Sequence, residues 1–360
     1  MRLRRVTISD VARHVGMSVS MVSSVLGRKS YCCASAATRS RIESAARELG
    51  YRPNLLARGL KSGRSRIIGF VCDSVHNEVS AREIVYLTDS LLPLDYQVQV
   101  IYSRGEEELR QQACDRLTDT GCDAIIVSGN FSQINLRTHV PVFLINGDMV
   151  GKGLDRSIFV DYQAGVEEAL TCLCEHGHKH IVLVAYYWSS FPGDQRKLAF
   201  DAFLRRNGIS DAAARTLIFQ DYSEITPQRM LDFLQQYPSC TAFICTNDLV
   251  AMRLIQALAK LGMSVPDDFS VIGFDDILAA DFFVPSLSSI RQPTEKVICE
   301  TVKLVINALE DKGEPVERVV PCFLVQRDSI GKVRRGLAPT TIFNHEKTRK
   351  DTKKEKGVCR

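Results

Sequence analysis

The sequence lacks the features of an exported or membrane-embedded protein. None of its apolar runs approaches the roughly eighteen residues that a helix needs to cross a bilayer. The basic start, residues 1–5, is not followed by the apolar core of a signal peptide. We therefore expect the protein to be cytoplasmic.

The sequence also lacks the common signatures of enzymes and metal proteins. It contains no phosphate-binding glycine loop, no nucleophile elbow and no HExxH pair. Asp275 and Asp276 are adjacent in the chain, and adjacency alone does not indicate a catalytic pair. The 12 cysteines do not have the CxxC spacing of zinc ligands, and most lie inside apolar runs. These features favour reduced, buried cysteines and a protein with no catalytic activity, cofactor or metal.

Acidic residues are scarce at both ends of the chain. Residues 1–66 contain 14 lysines and arginines but only 3 acidic residues, and residues 332–360 contain 10 basic and 3 acidic residues. The intervening residues 67–331 reverse this balance, with 22 basic and 36 acidic residues. The distribution predicts an anionic partner for the ends of the chain and not for its acidic body.

The N-terminal segment has apolar residues at helical spacing. A Thr7–Asp10 capping box opens the first predicted helix, Gly16 ends it, and Ser18 opens the second. A third helix is predicted to begin near Ser35. A plain three-helix bundle would explain the apolar stripes equally well. However, the outward positions are basic, with almost no acidic compensation: Arg13, Arg28, Lys29, Arg39, Arg41 and Arg47. We therefore predict a helix-turn-helix unit that binds DNA.

Two stretches of this segment match a family pattern. Residues 7–29, TISDVARHVGMSVSMVSSVLGRK, and residues 37–60, ATRSRIESAARELGYRPNLLARGL, resemble the N-terminus of the LacI/GalR family of bacterial transcription regulators. The resemblance implies that Val19, Ser20 and Ser24 face base edges in the major groove. Ser18 and Ser23 would then contact phosphates. The candidate DNA contacts are Thr7, Ser18, Val19, Ser20, Met21, Ser23, Ser24, Arg28, Asn54, Ala57 and Leu60.

The match departs from the family pattern on the second helix. Ser24 stands where the family usually has arginine, and Met21 stands where it usually has threonine. Arginine binds guanine through two hydrogen bonds, which provide about 1–3 kcal/mol of discrimination between bases. Serine cannot form this pair, so we expect an unusual or more weakly recognised half-site.

Residues 53–66 connect the helical unit to the rest of the chain. Their composition is that of a passive basic linker, and an isolated helix of this length is marginal in water. The resemblance implies instead a hinge helix that orders in the minor groove of DNA. Leu60 would then insert between the central base pairs and kink the duplex.

The acidic body alternates strand-like and helix-like stretches, which predicts parallel sheets covered by helices. The predicted helices are Glu106–Thr120, Gln163–Glu175, Pro227–Gln236 and Leu249–Leu261. The predicted strands are Ile67–Cys72, Gln97–Ile101, Ala124–Val127, Val142–Ile145, His180–Ala185, Ala242–Cys245 and Phe269–Phe274. About 265 residues with this pattern suit two lobes with a cleft between them.

The predicted architecture is a small all-α helix-turn-helix domain followed by an α/β, two-lobed, doubly wound domain of the periplasmic-binding-protein-like type. The DNA-binding domain is assigned to residues 1–52, and the hinge helix and linker to residues 53–66. Residues 67–331 would bind the effector and dimerise. Residues 332–360 form a basic tail that is predicted to be disordered. The tail has no leucine heptad, so a tetramer built on a C-terminal coiled coil is not supported.

Three polar residues lie where predicted strands end, which is where doubly wound sheets bind ligands. They are Arg196, Asn247 and Asp275. The residues alone favour simpler roles, with Asn247 and Asp275 as helix caps and Arg196 as a solvated charge. The family resemblance, which continues through about residue 331, implies that all three bind the hydroxyls of a small effector, commonly a sugar. Arginine, amide and carboxylate groups can together satisfy several hydroxyls.

The first lobe departs from the family at the expected pocket. Where the family usually has Asn-Pro-Phe-Phe, this chain has residues 77–80, Asn-Glu-Val-Ser, so Asn77 is retained without the aromatic residues. Trp188, the only tryptophan, follows a predicted strand. It can stack on a sugar face or pack within the lobe, and the second role is the more common. Asn77 and Trp188 complete the set of candidate effector-binding residues.

These observations predict a sequence-specific, homodimeric transcriptional regulator without enzymatic activity. It would repress carbohydrate-utilisation genes from a palindromic operator under allosteric control by a polyhydroxylated effector. A transport-type solute-binding protein has the same two-lobed form but no basic N-terminal unit. Within the regulator class, the body can also respond to a co-repressor or to a protein partner.

Overall fold

The computed structural model describes residues 6–27, 34–52, 63–75, 77–129, 136–145, 154–186, 194–208 and 216–333. The chain divides into two compact units, Met1–Arg66 and Ile67–Arg360. No helix among the described residues is both long enough and apolar enough to span a bilayer. The same residues contain no group of three or more histidine, cysteine, aspartate or glutamate side chains placed to hold a metal ion.

The first unit contains the predicted helix-turn-helix. Its helices are α1, Ile8–Val15, α2, Val19–Leu26, and α3, Ala36–Glu48. The capping box is formed, because the Thr7 hydroxyl accepts from the Asp10 amide and the Asp10 carboxylate accepts from the Thr7 amide at 2.9 Å. Gly16 then ends α1 in the left-handed conformation, with φ of +66°, and Ser18 caps α2.

The core of this unit is small and aliphatic. Its buried side chains come from all three helices: Val11, Ala12, Val15, Val22, Val25, Ile42, Ala45 and Ala46. Arg13, Arg41 and Arg47 are exposed, whereas Arg39 is half-buried. The spacing of the apolar residues thus correctly predicted which helix faces meet.

The second unit contains two six-stranded sheets. Their strands are β1 Ile67–Cys72, β2 Gln97–Tyr102, β3 Ala124–Ser128, β4 Val142–Ile145, β5 Ser157–Asp161, β6 Ile181–Tyr186, β7 Thr216–Phe219, β8 Ala242–Cys245, β9 Ser270–Phe274, β10 Ser288–Arg291, β11 Val319–Pro321 and β12 Phe323–Val325. Sheet one has the order β11-β5-β4-β3-β1-β2, and sheet two has the order β12-β10-β9-β8-β6-β7. Every pairing is parallel except that of β12 with β10.

Helices cover both faces of each sheet. They are α4 Glu78–Leu91, α5 Glu107–Asp119, α6 Tyr162–Glu175, α7 Gln195–Arg206, α8 Pro227–Gln236, α9 Asp248–Lys260, α10 Leu278–Phe282 and α11 Thr294–Glu310. Leu87 of α4 and Val305 of α11 pack on one face of sheet one, and Leu117 of α5 packs on the other. Helices α8, α9 and α10 cover one face of sheet two, and α6 and α7 cover the opposite face. This is the two-lobed, doubly wound architecture that the alternating pattern predicts.

All seven predicted strands are present, with ends that differ by one residue at most. Five further strands were not predicted: β5, β7, β10, β11 and β12. They are three to five residues long, and β5, β7 and β10 each contain at least one polar side chain. They are stabilised by pairing with strands distant in the chain, so local pattern carries little information about them.

Candidate functional site

The DNA-binding candidates on α2 form an exposed turn. Val19 and Met21 are 45% and 38% exposed although they are apolar, and Ser18 and Ser20 are also exposed. Ser23 and Ser24 are half-buried on the same helix, which has no acidic residue in its first turn. The Ser18 hydroxyl accepts from the Met21 amide at 3.2 Å, and this bond fixes the start of the turn.

Thr7 lies at the start of α1, where its side chain completes the capping box. Its hydroxyl donates to the Asp10 carboxylate at 2.7 Å. Of the remaining candidates, Arg28, Asn54, Ala57, Leu60 and Trp188 lie outside the described residues. Their proposed contacts remain predictions.

Arg196 is held at the start of α7 by an ion pair. Its Nε donates to Asp194 Oδ1 at 3.0 Å and its Nη2 to Asp194 Oδ2 at 2.6 Å, while its Nη1 donates to the Thr246 carbonyl at 2.7 Å. The Arg196 side chain is only 15% exposed. The interpretation of Arg196 as a solvated charge is therefore wrong. These bonds use three of the five guanidinium N–H groups, so with respect to the described residues two remain for a ligand.

Asp275 lies beside Arg196 at the end of β9. The Arg196 guanidinium lies over the ring of Phe274, 5.5 Å from its centroid, and stabilises the charged form of Asp275. Asp275 Oδ1 accepts from Gln292 Nε2 at 2.6 Å. The residue does not cap α10, whose N-cap is Ile277, so that interpretation is wrong. Asp275 instead has φ of +96°, a conformation that aspartate rarely adopts.

Burial dominates the electrostatics of Asp275. It raises the pKa of the carboxyl group to about 6, against the opposing effects of Arg196, of the Gln292 hydrogen bond and of Arg82. Asp275 is therefore mostly charged at pH 7 and half-protonated near pH 6.

Asn247 is the N-cap of α9, as the residue pattern alone predicted. Its Oδ1 accepts from the Val250 amide at 2.8 Å, and its Nδ2 donates to the Tyr222 hydroxyl at 3.3 Å. Tyr222 stacks on Tyr186 with a ring separation of 4.4 Å. Asn247 can cap the helix and also bind a ligand, because these two bonds use its Oδ1 and one Nδ2 N–H. The second Nδ2 N–H lies near the strand ends that carry Arg196 and Asp275.

The three residues follow three neighbouring strands of sheet two. Arg196 opens the helix that follows β6, Asn247 follows β8, and Asp275 follows β9. In parallel sheets these strand ends meet at one edge. The edge therefore presents a guanidinium, an amide and a carboxylate, with buried aromatic rings beneath, which suits a ligand with several hydroxyl groups.

The structure adds residues that sequence reasoning missed. Asp194 holds Arg196, and Gln292 holds Asp275. The pattern "GDQR" placed an acidic residue at a helix start, which was an available signal for Asp194. Gln292 follows β10, one of the strands that were not predicted, so its position at this edge had no local signal.

The corresponding edge of sheet one carries two further carboxyl groups. Asp73 Oδ1 accepts from Ser103 Oγ at 2.8 Å and from Arg110 Nη2 at 3.1 Å. Glu83 is 3% exposed and accepts from Ser128 Oγ at 2.8 Å. Burial raises the pKa of Glu83 to about 7. Asn77, the candidate in this lobe, is exposed and caps α4 by accepting from the Ser80 amide at 2.8 Å.

The pKa of Asp275 predicts that the affinity for the effector depends on pH. If the carboxylate accepts a hydrogen bond from an effector hydroxyl, protonation removes that acceptor. Effector affinity should then fall about tenfold between pH 7 and pH 5, because the carboxyl group is mostly protonated at the lower pH. Calorimetric titration across this range measures the effect. Asp275→Asn should flatten the curve while Glu83 still titrates, and an unchanged slope in that variant would assign the dependence elsewhere.

Comparisons with known proteins agree along almost the whole chain. A pattern described as bacterial regulatory proteins, lacI family, matches residues 7–54, and one described as a periplasmic binding protein-like domain matches residues 170–330. The HTH-type transcriptional regulator AscG of Escherichia coli K12 is 27% identical over 336 residues, covering 90% of this chain and 98% of that protein. The HTH-type transcriptional repressor PurR of Erwinia tasmaniensis is 26% identical over 337 residues, covering 90% and 96%.

A solved structure shows the same fold. The chain is similar to the lac repressor dimer bound to operator and the anti-inducer ONPF, with a TM-score of 0.78 and 24% identity. The match covers 91% of this chain and all of that one. The predicted fold class is thus confirmed.

Proposed function

We propose that this chain is a DNA-binding transcriptional regulator of the LacI family, and that it represses carbohydrate-utilisation genes under the control of a small polyhydroxylated effector. Its relatives are transcriptional regulators and repressors, not enzymes. The protein would act in the cytoplasm, on the chromosome.

The cluster of Arg196, Asn247 and Asp275 is the observation that carries the effector proposal. A carboxylate accepts hydrogen bonds from hydroxyl groups, a guanidinium donates hydrogen bonds to hydroxyl oxygens, and an amide can do both. A neutral polyol offers both donors and acceptors, so it can satisfy all three side chains. A purely apolar ligand would leave these partly buried groups unpaired, at a cost of about 1–3 kcal/mol each.

The proposed operator contact uses the exposed turn of α2 in the major groove. In this proposal Val19 and Ser20 would reach base edges, and Ser18 would reach a phosphate. Asn54, Ala57 and Leu60 supply the proposed hinge contact in the minor groove. An isolated helix of this length would be marginally stable in water, so a small change elsewhere in the protein would be enough to decide whether such a hinge folds.

We also propose a homodimer, which would recognise a palindrome through two such units. An apolar surface supports it: Leu249, Leu278, Phe282 and Val284 are 49%, 70%, 70% and 86% exposed. The Ile277 amide donates to Asp248 Oδ2 at 2.8 Å, so the segments that carry Leu249 and Leu278 meet at this point. We call these four residues the α10 surface. Exposed apolar clusters of this kind are typical of protein interfaces.

Effector binding and operator binding are then linked by a coupling free energy, typically about 1–3 kcal/mol. The effector must bind one arrangement of the two lobes more tightly than the other. Fluorescence anisotropy of operator-bound protein, titrated with a panel of neutral sugars, tests this. Release by a sugar identifies an inducer, tighter binding identifies a co-repressor, and no response to any sugar contradicts the effector class.

Ser24 provides a test of the operator contact. Ser24→Arg should shift the DNA selected from a random pool toward guanine at one position of each half-site, because arginine adds a bidentate contact of about 1–3 kcal/mol. Sequencing of the selected pools from both proteins measures the shift. Arg13→Lys, on the exposed face of α1, is the control and should leave the selected sequence unchanged. An identical sequence from the Ser24→Arg pool would place Ser24 away from the bases.

A further inference from the structure

We propose that Glu78 and Arg82 hold the loop that carries Asp275, and so position the effector site when the two lobes close. Glu78 and Arg82 lie in lobe one, which is built on sheet one, and the loop lies in lobe two, which is built on sheet two. This inference rests on the proposed function, since it assigns a regulatory role to the same site. The contacts that carry it join residues almost two hundred positions apart. We call the four residues Glu78, Arg82, Asp276 and Leu278 the clasp.

The clasp consists of backbone groups of one lobe bound by charged side chains of the other. Both Glu78 carboxylate oxygens accept from the Leu278 amide, at 2.9 and 3.1 Å. Arg82 Nη2 donates to the Asp276 carbonyl at 2.8 Å. Glu78 and Arg82 also pair with each other at 2.5 Å, one helical turn apart on α4. Hydrogen bonds of charged groups are roughly twice as strong as those of neutral groups.

The bound loop follows directly from the site. Asp275 and Asp276 both have positive φ, +96° and +48°, and neither is glycine. Such conformations are unfavourable for residues other than glycine and persist only where the surroundings hold them. Within lobe two, Gln292 binds the Asp275 carboxylate, and Arg291 and Arg327 bind that of Asp276. The clasp is the contribution from lobe one.

A purely local role for Glu78 does not account for this geometry. An acidic residue in the first turn of a helix stabilises it, and so does an ion pair four residues along. Both effects would operate with the carboxylate facing solvent. Instead both oxygens of Glu78 approach the first amide of α10. The charges of Glu78 and Arg82 also act on Asp275 itself, with opposite signs.

The clasp therefore links lobe closure to the conformation of the effector site. When the lobes separate, the loop loses its contacts with α4, and the strained residues beside Asp275 lose part of their support. An effector held by Asp275 then favours the arrangement in which the clasp is formed. This is the differential affinity that allosteric control requires.

Hydrogen–deuterium exchange of the full-length protein without ligand tests the contact. Glu78→Ala should speed exchange in lobe-two peptides covering residues 275–282 by about tenfold, because a loop amide loses its acceptor. Leu278→Pro removes the amide donor together with the leucine side chain and should leave the helix intact, since proline fits the first position of a helix. It should speed exchange in lobe-one peptides covering residues 77–83. The double variant should add nothing to either change.

Two matched controls separate the clasp from local effects. Leu278→Ala loses the same side chain but keeps the amide, so α4 should keep its exchange rate. Glu107→Ala removes an acidic residue from the first turn of α5 and should leave residues 275–282 unchanged. If Glu78→Ala and Leu278→Pro change exchange only in the lobe that carries the substitution, the clasp does not join the lobes and the inference is overturned.

A titration with neutral sugars extends the test to regulation. Any sugar that binds the natural protein should bind Glu78→Ala about five- to twentyfold more weakly, and Leu278→Pro should show the same loss relative to Leu278→Ala. Equal affinities would show that the clasp does not affect the site. If no sugar binds the natural protein, the effector class proposed above fails, while the exchange experiment still decides whether the clasp exists.

Discussion

Asp275→Asn should abolish the effect of the effector on operator binding while leaving operator affinity without effector unchanged. Asparagine preserves the shape of the side chain and can still accept from Gln292, but it lacks the charge that strengthens a hydrogen bond to a ligand hydroxyl. We expect effector affinity to fall about 10- to 100-fold, as for the loss of a charge-assisted bond in a partly buried site. Calorimetry and operator anisotropy measure the two affinities separately.

The same substitution should not destabilise the fold. Burial raises the pKa of Asp275 to about 6 from an ordinary value of 3.8. The folded state therefore favours the protonated form of Asp275. The stability that this preference adds to the folded protein is fully present below about pH 4 and is lost as the pH rises from about 4 through 6. At pH 7, Asp275→Asn should unfold at the same urea concentration as the natural protein or a higher one. Asp311→Asn, an equivalent change at the left-handed end of α11, is the control and should leave effector binding intact. An undiminished effector response in Asp275→Asn would remove Asp275 from the site.

Phe282→Asp should dissociate the dimer and with it most of the operator affinity. Phe282 is 70% exposed and belongs to the α10 surface, so a charge there would be buried in the proposed interface without a partner. A monomer binds only one half-site. It loses the affinity that a linked second half-site adds, which is on the order of 10²- to 10⁴-fold. Sedimentation velocity and anisotropy at nanomolar concentration measure both effects.

Leu198→Asp is the matched control for this prediction. Leu198 is 44% exposed on α7, which covers the opposite face of sheet two. An exposed apolar residue is thus replaced by the same charge outside the α10 surface. It should leave both the dimer and the operator affinity intact. A dimeric Phe282→Asp protein would show that the subunits associate through another surface.

The sequence was most informative where local chemistry sets local structure. The Thr7–Asp10 pair, Gly16 and Ser18 predicted the start and end of α1 and the start of α2, because caps and left-handed turns depend on neighbouring residues. Apolar strands buried on both faces, such as β1 and β3, were predicted from their composition for the same reason.

Structure was needed where a residue depends on distant partners. Arg196 was interpreted as a solvated charge because nothing in its local sequence shows that Thr246 and Phe274 lie around it. Gln292 and the clasp were missed because β10 and the Asp275–Leu278 loop are positioned by contacts between distant segments. The family resemblance suggested the proposed effector-binding roles of Arg196, Asn247 and Asp275, and the structure supplies the hydrogen bonds that hold each side chain in place.

The most direct test of the whole account is the DNA specificity of the full-length protein. Its affinity for an operator selected from genomic DNA should be compared with its affinity for bulk competitor DNA at moderate salt. The account predicts that operator binding is tighter by about a thousandfold or more, and that a small polyol changes this ratio. Equal affinities for operator and competitor, with or without polyols, would contradict it.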